Sequence, residues 1–556
     1  MRWRRSWRSL VISFLALVGF VAFVIPITNS GALPYTTANE NAHTLVLSLP
    51  GPFYGCSYLD DRVTPTTTAI LDLIRPSAFV TNANGTLVGQ NGPISSAELT
   101  SLQPETVRYT ISPNQTWSNS MVFDGHDLVS WWNRAKILAS ETSDGYRAIK
   151  SLSVSKNGLI VTAIFKTPYA DWNLLFRDVE APGPAKSCAI SNLVNLPSLG
   201  PYIVKSASAS RIVLNMNPTW PLNTNRFGRV VITDSQALPK TPHDVWADYS
   251  LTVNSGTLLP LSSRPTLVSR ISSSSNIEEM TFAPAEAYVN QLVIRQALSW
   301  AVQRQSMIDT LFGSVTFSPS VAASAVYSQG QSQYPGTAGS NPTGQATTTT
   351  TILGGPTDGV SDCVRCAIDT LKESGFQRTS SGWVSGTGRV LSIRVAVGPR
   401  ALDHAVAALV KKDWARIAIP ATVVDVNSET RAANAAATSV ADVAIFSRPT
   451  LTSPSYTARS WTGPAYPNTY PSGDRSATVT SLFQQASAIF NPVTASATWL
   501  RLDQTVLSDY WVRPLFTPPS LVVWSSSLVT VQSSFTVTGF VDQLPSWSIA
   551  PPIAGS

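Results

Sequence analysis

Four cysteines are the residues of this sequence with the most direct capacity for chemistry. Two of them are separated by only two residues, a spacing that redox and metal motifs share, but no second such pair and no nearby histidine completes a zinc set. An even number of cysteines permits two disulfides in an exported chain, with free thiols or redox chemistry as the alternatives. Four cysteines allow three pairings, of which we expect Cys56 with Cys188 and Cys363 with Cys366.

Catalytic motifs are the next chemistry to test, and the sequence contains none of the common ones. It has no GxSxG turn for a serine nucleophile, no HExxH zinc motif among its four histidines, and no GxxxxGK[ST] phosphate loop. His126 lies beside a predicted helix cap, where a solvated or capping histidine is the simpler interpretation. We therefore expect no enzyme activity, no metal site and no cofactor.

The N-terminal residues indicate export from the cytoplasm. Four arginines (Arg2, Arg4, Arg5 and Arg8) precede an uncharged apolar run at residues 10–27, and small residues follow at Ser30 and Ala32. This order is typical of a signal peptide, and the run is also about long enough to span a bilayer as an uncleaved anchor. Both alternatives for residues 1–32 leave the chain from residue 33 outside the cytoplasm. No cysteine follows the run closely, so we do not expect a lipid-modified N-terminus.

The remaining composition describes a large, weakly charged, folded protein. A length of 556 residues predicts two or three domains. The composition, 43% hydrophobic and 13% charged, is that of a folded protein. Residues 1–32 contain no acid, so setting the four arginines aside lowers the net charge from +6 to +2. No lysine- or arginine-rich block follows, so we expect no nucleic-acid partner and membrane contact only through the N-terminal segment.

One stretch, from Val107 to Leu138, predicts a strand, a turn and a capped helix. Apolar and polar residues alternate up to Ile111, as in a half-buried strand. Asp124 is placed to cap a new helix, with Asp127 at its third position. Apolar side chains then recur at helical spacing as far as Leu138.

Further elements are predicted along the chain. Residues 43–49 and 441–446 are predicted to form strands, and residues 293–308 one apolar helix. Residues 336–359 are rich in glycine, threonine and proline and predict a flexible loop. Gly375 is placed to end a helix.

The order of residues resembles a known family. Tyr109-Thr110-Ile111, Trp117-Ser118, Asp127 and Ser130-Trp131 follow its signature, although Asn119-Ser120 stands where the family has Asp-Gly. Together with further matches over residues 43–547, the chain resembles family 5 extracellular solute-binding proteins, the peptide and nickel receptors of ABC importers. It is most similar to an actinobacterial branch that includes a lipoprotein linked to envelope glycolipid synthesis.

The resemblance implies an α/β, two-lobed periplasmic-binding-protein type II fold with an extra subdomain in the first lobe. The implied first lobe is discontinuous and comprises residues 43–60, 185–265 and 509–550. Residues 61–184 form the implied subdomain and residues 266–508 the second lobe, and residues 537–540 match the family's terminal strand. A solute would be enclosed between the lobes.

The family places ligand contacts at an aromatic loop on the cleft rim and just after the strand that starts at Asp442. Peptide receptors carry a tryptophan and an acid there, and the acid holds the peptide ammonium group. If Pro454 aligns with the family's proline, Arg448 and Leu451 replace them, which disfavours free-amine peptides and favours an anionic or N-blocked solute. The alternative is that Arg448 is solvated or bridges the lobes. The implied cleft candidates are Phe53, Tyr54, Tyr58, Arg448, Thr450, Leu451, Tyr456 and Trp461.

Two functions are consistent with the sequence. The first is a monomeric, extracytoplasmic receptor that captures a peptide-like or other polar solute and delivers it to ABC permease subunits. The second is an envelope protein that keeps the fold, has lost solute capture and acts by contacting other envelope proteins. The altered ligand segment and the absence of a lipid-attachment cysteine support the second.

Overall fold

The computed structural model describes sixteen ranges of the chain. They are residues 43–59, 64–138, 143–183, 189–220, 227–234, 243–249, 264–286, 288–313, 319–327, 331, 333–335, 362–438, 440–450, 453–462, 476–534 and 536–550. The predicted signal or anchor at 1–32 and the predicted loop at 336–359 lie outside them. Within these ranges, no helix has the length and apolar character needed to cross a membrane.

A seven-stranded sheet forms the core of the first lobe. Its strands are β1 (Thr44–Ser48), β8 (Tyr202–Ala207), β9 (Arg211–Met216), β10 (Arg229–Thr233), β11 (Asp244–Asp248), β12 (Leu267–Ser273) and β20 (Pro519–Ser525), in the spatial order β12-β20-β11-β1-β10-β9-β8. The central strand β1 runs parallel to β10 and β11. Its Leu45 and Leu47 are fully buried because α1 (Pro65–Asp72) and α12 (Val537–Val541) cover the sheet.

A subdomain with its own core is built between α1 and β8. Its strands are β2 (Phe79–Thr81), β3 (Leu87–Gly89), β4 (Ile94–Leu102), β5 (Glu105–Ile111), β6 (Ile149–Val154) and β7 (Ile160–Phe165), and its helices are α2 (Gly125–Ala135) and α3 (Ser143–Ala148). Four of the strands form one sheet in the order β4-β5-β7-β6, and β2 pairs with β3. The predicted strand near Ile111 and the capped helix are both confirmed.

Asp127 explains why the subdomain helix begins where it does. The backbone N–H of Asp124 donates to the Asp127 carboxylate (2.9 Å), while the Asp124 carboxylate accepts from the N–H of His126 (2.7 Å). This reciprocal capping satisfies N–H groups that the first helical turn leaves without partners. The other Asp127 oxygen accepts from the indole of Trp117 (3.1 Å), which ties the helix start to the buried turn.

A five-stranded sheet forms the second lobe. Its strands are β13 (Asn276–Phe282), β16 (Ile393–Val397), β17 (Ala421–Asp425), β18 (Val443–Pro449) and β19 (Val512–Phe516), in the order β17-β16-β18-β13-β19. Helices cover both faces: α4 (Leu292–Ala301), α5 (Arg304–Phe312), α6 (Val364–Glu373), α7 (Ala401–Arg416), α8 (Glu429–Ala437), α9 (Pro454–Ala458), α10 (Ala477–Ser487) and α11 (Pro492–Ser508). Two antiparallel strand pairs, the hairpin of β14 (Gln377–Thr379) with β15 (Gly382–Val384) and the pair of β21 (Leu528–Val529) with β22 (Ser548–Ile549), complete the strands described. Gly375 follows α6 with a φ of 84°, as the predicted helix end requires.

Several predicted boundaries are wrong. The chain passes from the first sheet to the second at residues 274–275 and returns at 517–518, not at 265/266 and 508/509, because β12 pairs with β20 and β19 pairs with β13. Helix α1 was predicted to lie in the subdomain, but it packs in the core of the first lobe.

Two predicted elements also differ from the structure. The predicted helix over 293–308 is interrupted after Ala301, since the N–H groups of Gln303 and Arg304 donate to Asp413 and Asp362 (2.9 Å each) instead of to helix carbonyls. Residues 537–541 form a helix instead of a strand, because the Thr536 hydroxyl caps the N–H of Gly539 (2.9 Å).

Candidate functional site

The chain crosses between the two lobes at two adjacent points. One connects β12 to β13 through Ser274 and Ser275, and the other connects β19 to β20 through Thr517 and Pro518. The N–H of Ser274 donates to the carbonyl of Pro518 (3.0 Å), so the crossings are bonded to each other. A pair of short crossings is the arrangement that a hinge between two lobes requires.

Strand β18 ends at this crossing. The N–H of Thr450 donates to the Ser275 carbonyl (2.7 Å), and the Thr450 hydroxyl donates to the same oxygen. Both donors of this cleft candidate are therefore used to hold the strand end against the crossing. Leu451 lies outside the described residues.

Arg448 is a buried structural cation, neither solvated nor lobe-bridging. Its side chain is 2% exposed, and its Nε and Nη2 donate to the two oxygens of Glu279 on β13 (3.0 and 2.9 Å). Nη2 also donates to the carbonyl of Ala325, whose own N–H donates to Asp503 (2.8 Å). Burial raises the pKa of Asp503 to about 6. The charge of Arg448 is thus compensated within the second lobe.

Three buried donors remain without an acceptor beside this pair. Arg448 Nη1, the indole Nε1 of Trp461 and the Thr462 hydroxyl have no hydrogen-bond partner in the part of the chain that the structure describes. The guanidinium lies 5.1 Å from the Trp461 ring centroid. A buried donor without a partner costs roughly 1–3 kcal/mol, so such groups are expected to meet an acceptor in the working protein.

The aromatic loop of the first lobe contributes less than its sequence suggested. Phe53 is fully buried in the core of the first lobe, and its N–H donates to the Ala209 carbonyl (2.8 Å), so it is a core residue. Tyr54 is 50% exposed. Tyr58 is half-buried and packs against the subdomain core.

Tyrosines from three parts of the chain meet at one seam. The seam is the contact between Tyr58, Tyr169 and Asp171 on one side and Ser453, Ser455 and Tyr456 of the second lobe on the other. Tyr456 on α9 is hydrogen-bonded through its hydroxyl to Tyr169 of the subdomain. Burial raises the pKa of Tyr456 well above its usual value, and Tyr169, Tyr58 and Asp171 raise it further. The structure therefore brings Tyr58 and Tyr456 together, where the spacing of the sequence could not.

A cluster of acids surrounds one arginine on the opposite face of the second sheet. Arg400, which precedes α7, donates to Glu278 (3.0 Å) and also contacts Asp403 and Glu429. Burial raises the pKa of Glu429 to about 8 and that of Glu278 well above its usual value. Glu278 and Glu279 are neighbours on β13, so each faces its own arginine on its own side of the sheet.

The cysteines that the structure describes are disulfide-bonded. A disulfide joins Cys363 and Cys366 at the start of α6, with a Cα–Cα distance of 5.2 Å. Cys56 is buried and disulfide-bonded, whereas Cys188 lies outside the described residues, so their pairing stays a prediction. No group of three or more His, Cys, Asp or Glu side chains within the described ranges is arranged to hold a metal.

Sequence reasoning missed the residues that organise the seam. The missed residues are Glu279, which pairs with Arg448; Asp171, Ser453 and Ser455, which bond to one another; and Thr462, whose hydroxyl has no partner among the described residues. None of them stands in a recognisable motif. One signal was present, because two adjacent acids inside the apolar strand β13 must each find a buried cation. The identity of those cations is a tertiary property.

Comparison with known proteins defines the fold and the family. The family described as "Bacterial extracellular solute-binding proteins, family 5 Middle" matches residues 95–469. "Oligopeptide-binding protein OppA" of Mycobacterium tuberculosis is 27% identical over 187 residues, which cover 31% of this chain and 32% of that protein. "Probable monoacyl phosphatidylinositol tetramannoside-binding protein LpqW" of the same species is 28% identical over 137 residues, 23% of this chain and 21% of that one. The matches thus span a third or less of these relatives.

Solved structures share the two-lobed architecture. A "Periplasmic EDTA-binding protein EppA" aligns with a TM-score of 0.77 at 16% identity, covering 94% of this chain and all of that one. AppA from Bacillus subtilis, in complex with a nonapeptide, aligns at 0.69 and 14% identity, covering 92% and 99%. NikZ from Campylobacter jejuni, in complex with Ni(L-His), aligns at 0.70 and 14% identity, covering 91% and 99%. The two-lobed α/β fold predicted from the sequence is confirmed.

Proposed function

The chain belongs to family 5 of the bacterial extracellular solute-binding proteins, and on that premise we propose that it is the solute receptor of an ABC importer. It is exported, either cleaved after the N-terminal segment or anchored by it, and acts as a monomer. It encloses a peptide-like or other polar solute between its lobes and presents it to the permease subunits. The names of the mycobacterial oligopeptide-binding relative and of the nonapeptide complex support a peptide-like solute.

One observation carries the proposal. Among the described residues, Arg448 Nη1, Trp461 Nε1 and the Thr462 hydroxyl are buried donors without partners, and they lie on and after the strand that ends at the hinge. A bound solute supplies the acceptor that these groups lack. The exposed ring of Tyr54, together with Tyr58 and the buried Tyr456, supplies aromatic walls, whereas Phe53 and Thr450 act through the core and the hinge.

The same contacts revise the expected solute chemistry. Glu279 neutralises the positive charge of Arg448, so an anionic solute gains no free cation there. Burying a charge beside an already balanced pair is costly, whereas a neutral carbonyl oxygen satisfies a donor at little cost. We therefore propose an uncharged acceptor, such as a peptide carbonyl, at this point of the cleft. The loss of the family's acid at Leu451, and with it weaker binding of a free ammonium, stays a prediction.

The unpartnered donors favour solute capture over the alternative of an envelope protein that binds only other proteins. Native mass spectrometry of the protein as purified tests this directly, since a captured solute adds a discrete mass that is lost on denaturation. The same sample then receives a panel of free-amine and N-acetylated tri- to pentapeptides, with binding followed by calorimetry. A protein that carries no solute and binds no member of the panel would favour the alternative.

Trp461→Phe tests the donors themselves. The ring is kept and one unpartnered N–H is removed, so the solute-free protein should be as stable as the parent or slightly more stable. Affinity for a bound peptide should fall about threefold to tenfold, because one hydrogen bond contributes roughly 0.5–1.5 kcal/mol. Trp547→Phe is the matched control, since the buried indole of Trp547 in the first lobe also lacks a partner among the residues that the structure describes. Equal affinities in both variants and the parent would contradict the assignment of Trp461.

A further inference from the structure

One contact between the subdomain and the second lobe is made by a buried carboxylate. Asp171, which precedes a short 3₁₀ turn of the subdomain, accepts a hydrogen bond from the Ser453 hydroxyl (2.7 Å) and another from the Ser455 hydroxyl. Ser453 also caps α9. One carboxylate thus satisfies the two hydroxyls at the start of the helix that leads to Trp461.

An ion pair joins the same two surfaces. Arg459, directly after α9, forms an ion pair with Asp144 on α3, and its guanidinium lies 4.8 Å from the Phe483 ring centroid. The N–H of Ala170 donates to the carbonyl of Ser487 at the end of α10 (3.1 Å). The subdomain therefore contacts both α9 and α10.

These contacts span the hinge because the subdomain is fastened to the first lobe. Arg177 of the subdomain donates to Asp72 on α1 (2.9 Å), and the N–H of Thr81 donates to Asp542 after α12 (2.8 Å). Any movement of the second lobe about residues 274–275 and 517–518 must break the contacts to α9. Contacts within one rigid lobe would have no such consequence.

We propose that Asp144 and Asp171 of the subdomain, with Ser453, Ser455 and Arg459 of the second lobe, form a clasp that holds the cleft closed through protein contacts alone. The clasp rests on the proposed hinge closure and adds to it. It positions the segment 453–461, which carries Tyr456 and Trp461, before any solute arrives. The function of the extra subdomain of the first lobe is then to set the fraction of the solute-free protein that is closed.

The chemistry of the clasp makes it reversible. Asp171 forms no direct ion pair within the described residues, although Arg459 lowers its pKa against the effect of burial, so desolvation of Asp171 opposes closure while two hydroxyl hydrogen bonds favour it. The Arg459–Asp144 pair is partly exposed, with side chains 19% and 23% accessible, and contributes less. Opposing contributions of similar size allow the closed state to form without becoming permanent.

The test compares the parent with Asp171→Ala and Arg459→Ala, one from each side of the clasp. Small-angle X-ray scattering on the solute-free full-length protein should give a larger radius of gyration for both variants than for the parent. For a peptide identified from the panel above, stopped-flow tryptophan fluorescence should show a dissociation rate constant about tenfold higher in each variant. The association rate constant should stay the same or rise, because the binding groups are intact and a more open cleft admits solute more often.

Glu98→Ala is the matched control, since this exposed subdomain acid pairs only with Arg108 in the described part of the chain. It should match the parent in scattering and in kinetics. Variants that scatter like the parent, while the parent still binds a peptide, would overturn the clasp and leave the proposed function standing. A parent that binds no peptide would instead remove the proposed function, and the scattering of solute-free variants would still decide on the clasp.

Discussion

Two adjacent acids, Glu278 and Glu279, lie in the middle of a buried strand and face opposite sides of the second sheet. Glu279 meets Arg448 on the side of the cleft segment, and Glu278 meets Arg400 on the other. A buried ion pair adds little net stability over apolar packing, but removal of one partner leaves an uncompensated charge. Each acid and its arginine therefore depend on each other, because a change to either one alone leaves the other as a buried, unpaired charge.

The Arg448–Glu279 pair leads to a prediction for stability. Arg448→Met should lower the free energy of unfolding by about 3–5 kcal/mol, because Glu279 is left buried without its cation. The double variant Arg448→Met/Glu279→Gln should regain more than half of that loss. Urea denaturation followed by tryptophan fluorescence measures each step of the cycle.

Arg394→Met serves as the control for this cycle. Arg394 pairs with Asp442 in the same lobe, but its side chain is 43% exposed, so its loss should cost no more than about 1 kcal/mol. Equal losses for the two single variants would mean that Arg448 is far more solvated than its contacts indicate.

At the scale of elements, the starts of α7 and α8 converge on one buried arginine. Arg400 is surrounded by Glu278, Asp403 and Glu429, and the N–H of Ser447 donates to Glu429 (3.1 Å). Three acids and one cation leave an excess of negative charge when all are ionised. Burial, opposed by Arg400 and reinforced by Asp403, raises the pKa of Glu429 to about 8.

This cluster predicts that stability falls as the pH rises. A carboxyl whose pKa is about 8 when folded and near 4.5 when unfolded holds a proton in the folded state that the unfolded state has released. The protonated, folded form is therefore favoured below pH 8, and this stabilisation declines between about pH 4.5 and 8 by at most about 1.4 kcal/mol per pH unit. Glu429→Gln should flatten this decline, as urea denaturation at pH 5.5, 7 and 8.5 can measure.

Two comparisons make the pH prediction specific. Glu98→Gln changes an exposed carboxylate on β4 whose partner, Arg108, does not titrate in this range, and it should leave the slope of the parent unchanged. A parent whose stability rises from pH 5.5 to 8.5, or a Glu429→Gln variant with the slope of the parent, would contradict the role of this cluster.

At the scale of the whole molecule, the attachment of the subdomain depends on a second buried cation. Arg177 lies among Asp72, Asp178 and Asp542, at 2.9 Å from Asp72 and about 4 Å from the other two. Burial raises the pKa of Asp178 and of Asp542 well above the usual range. The first lobe contributes two of these acids and the subdomain contributes the third, so one arginine joins the two bodies.

Removal of that cation should loosen the subdomain from the first lobe. Arg177→Ala leaves three buried carboxyls without compensation and should cost about 3–5 kcal/mol. Differential scanning calorimetry should show the single transition of the parent broaden or divide, because the subdomain has a hydrophobic core of its own. Arg108→Ala, on the exposed face of the subdomain, should leave the transition unchanged, and a similar trace for Arg177→Ala would argue against this attachment.

The sequence by itself determined the family, the two-lobed fold and most local elements. Alternating apolar residues around Ile111, the cap at Asp124 and the ordered matches along the chain depend on near neighbours and on order, which one sequence records fully. The same local logic failed at residues 302–304 and 537–541, where a distant carboxylate takes a helix N–H or a threonine cap outweighs strand propensity.

Only the tertiary structure decided what the candidate site contains. The sequence placed Arg448 where the family binds solute, but it could not show that Glu279, 169 residues away, would neutralise that charge. Nor could it show that Phe53 is core, that the lobes cross at 274–275 and 517–518, or that Asp171 reaches Ser453. The physical reason is that buried charge and hydrogen-bond partnership are settled by groups that meet across the fold, and their separation along the chain carries no trace of that meeting.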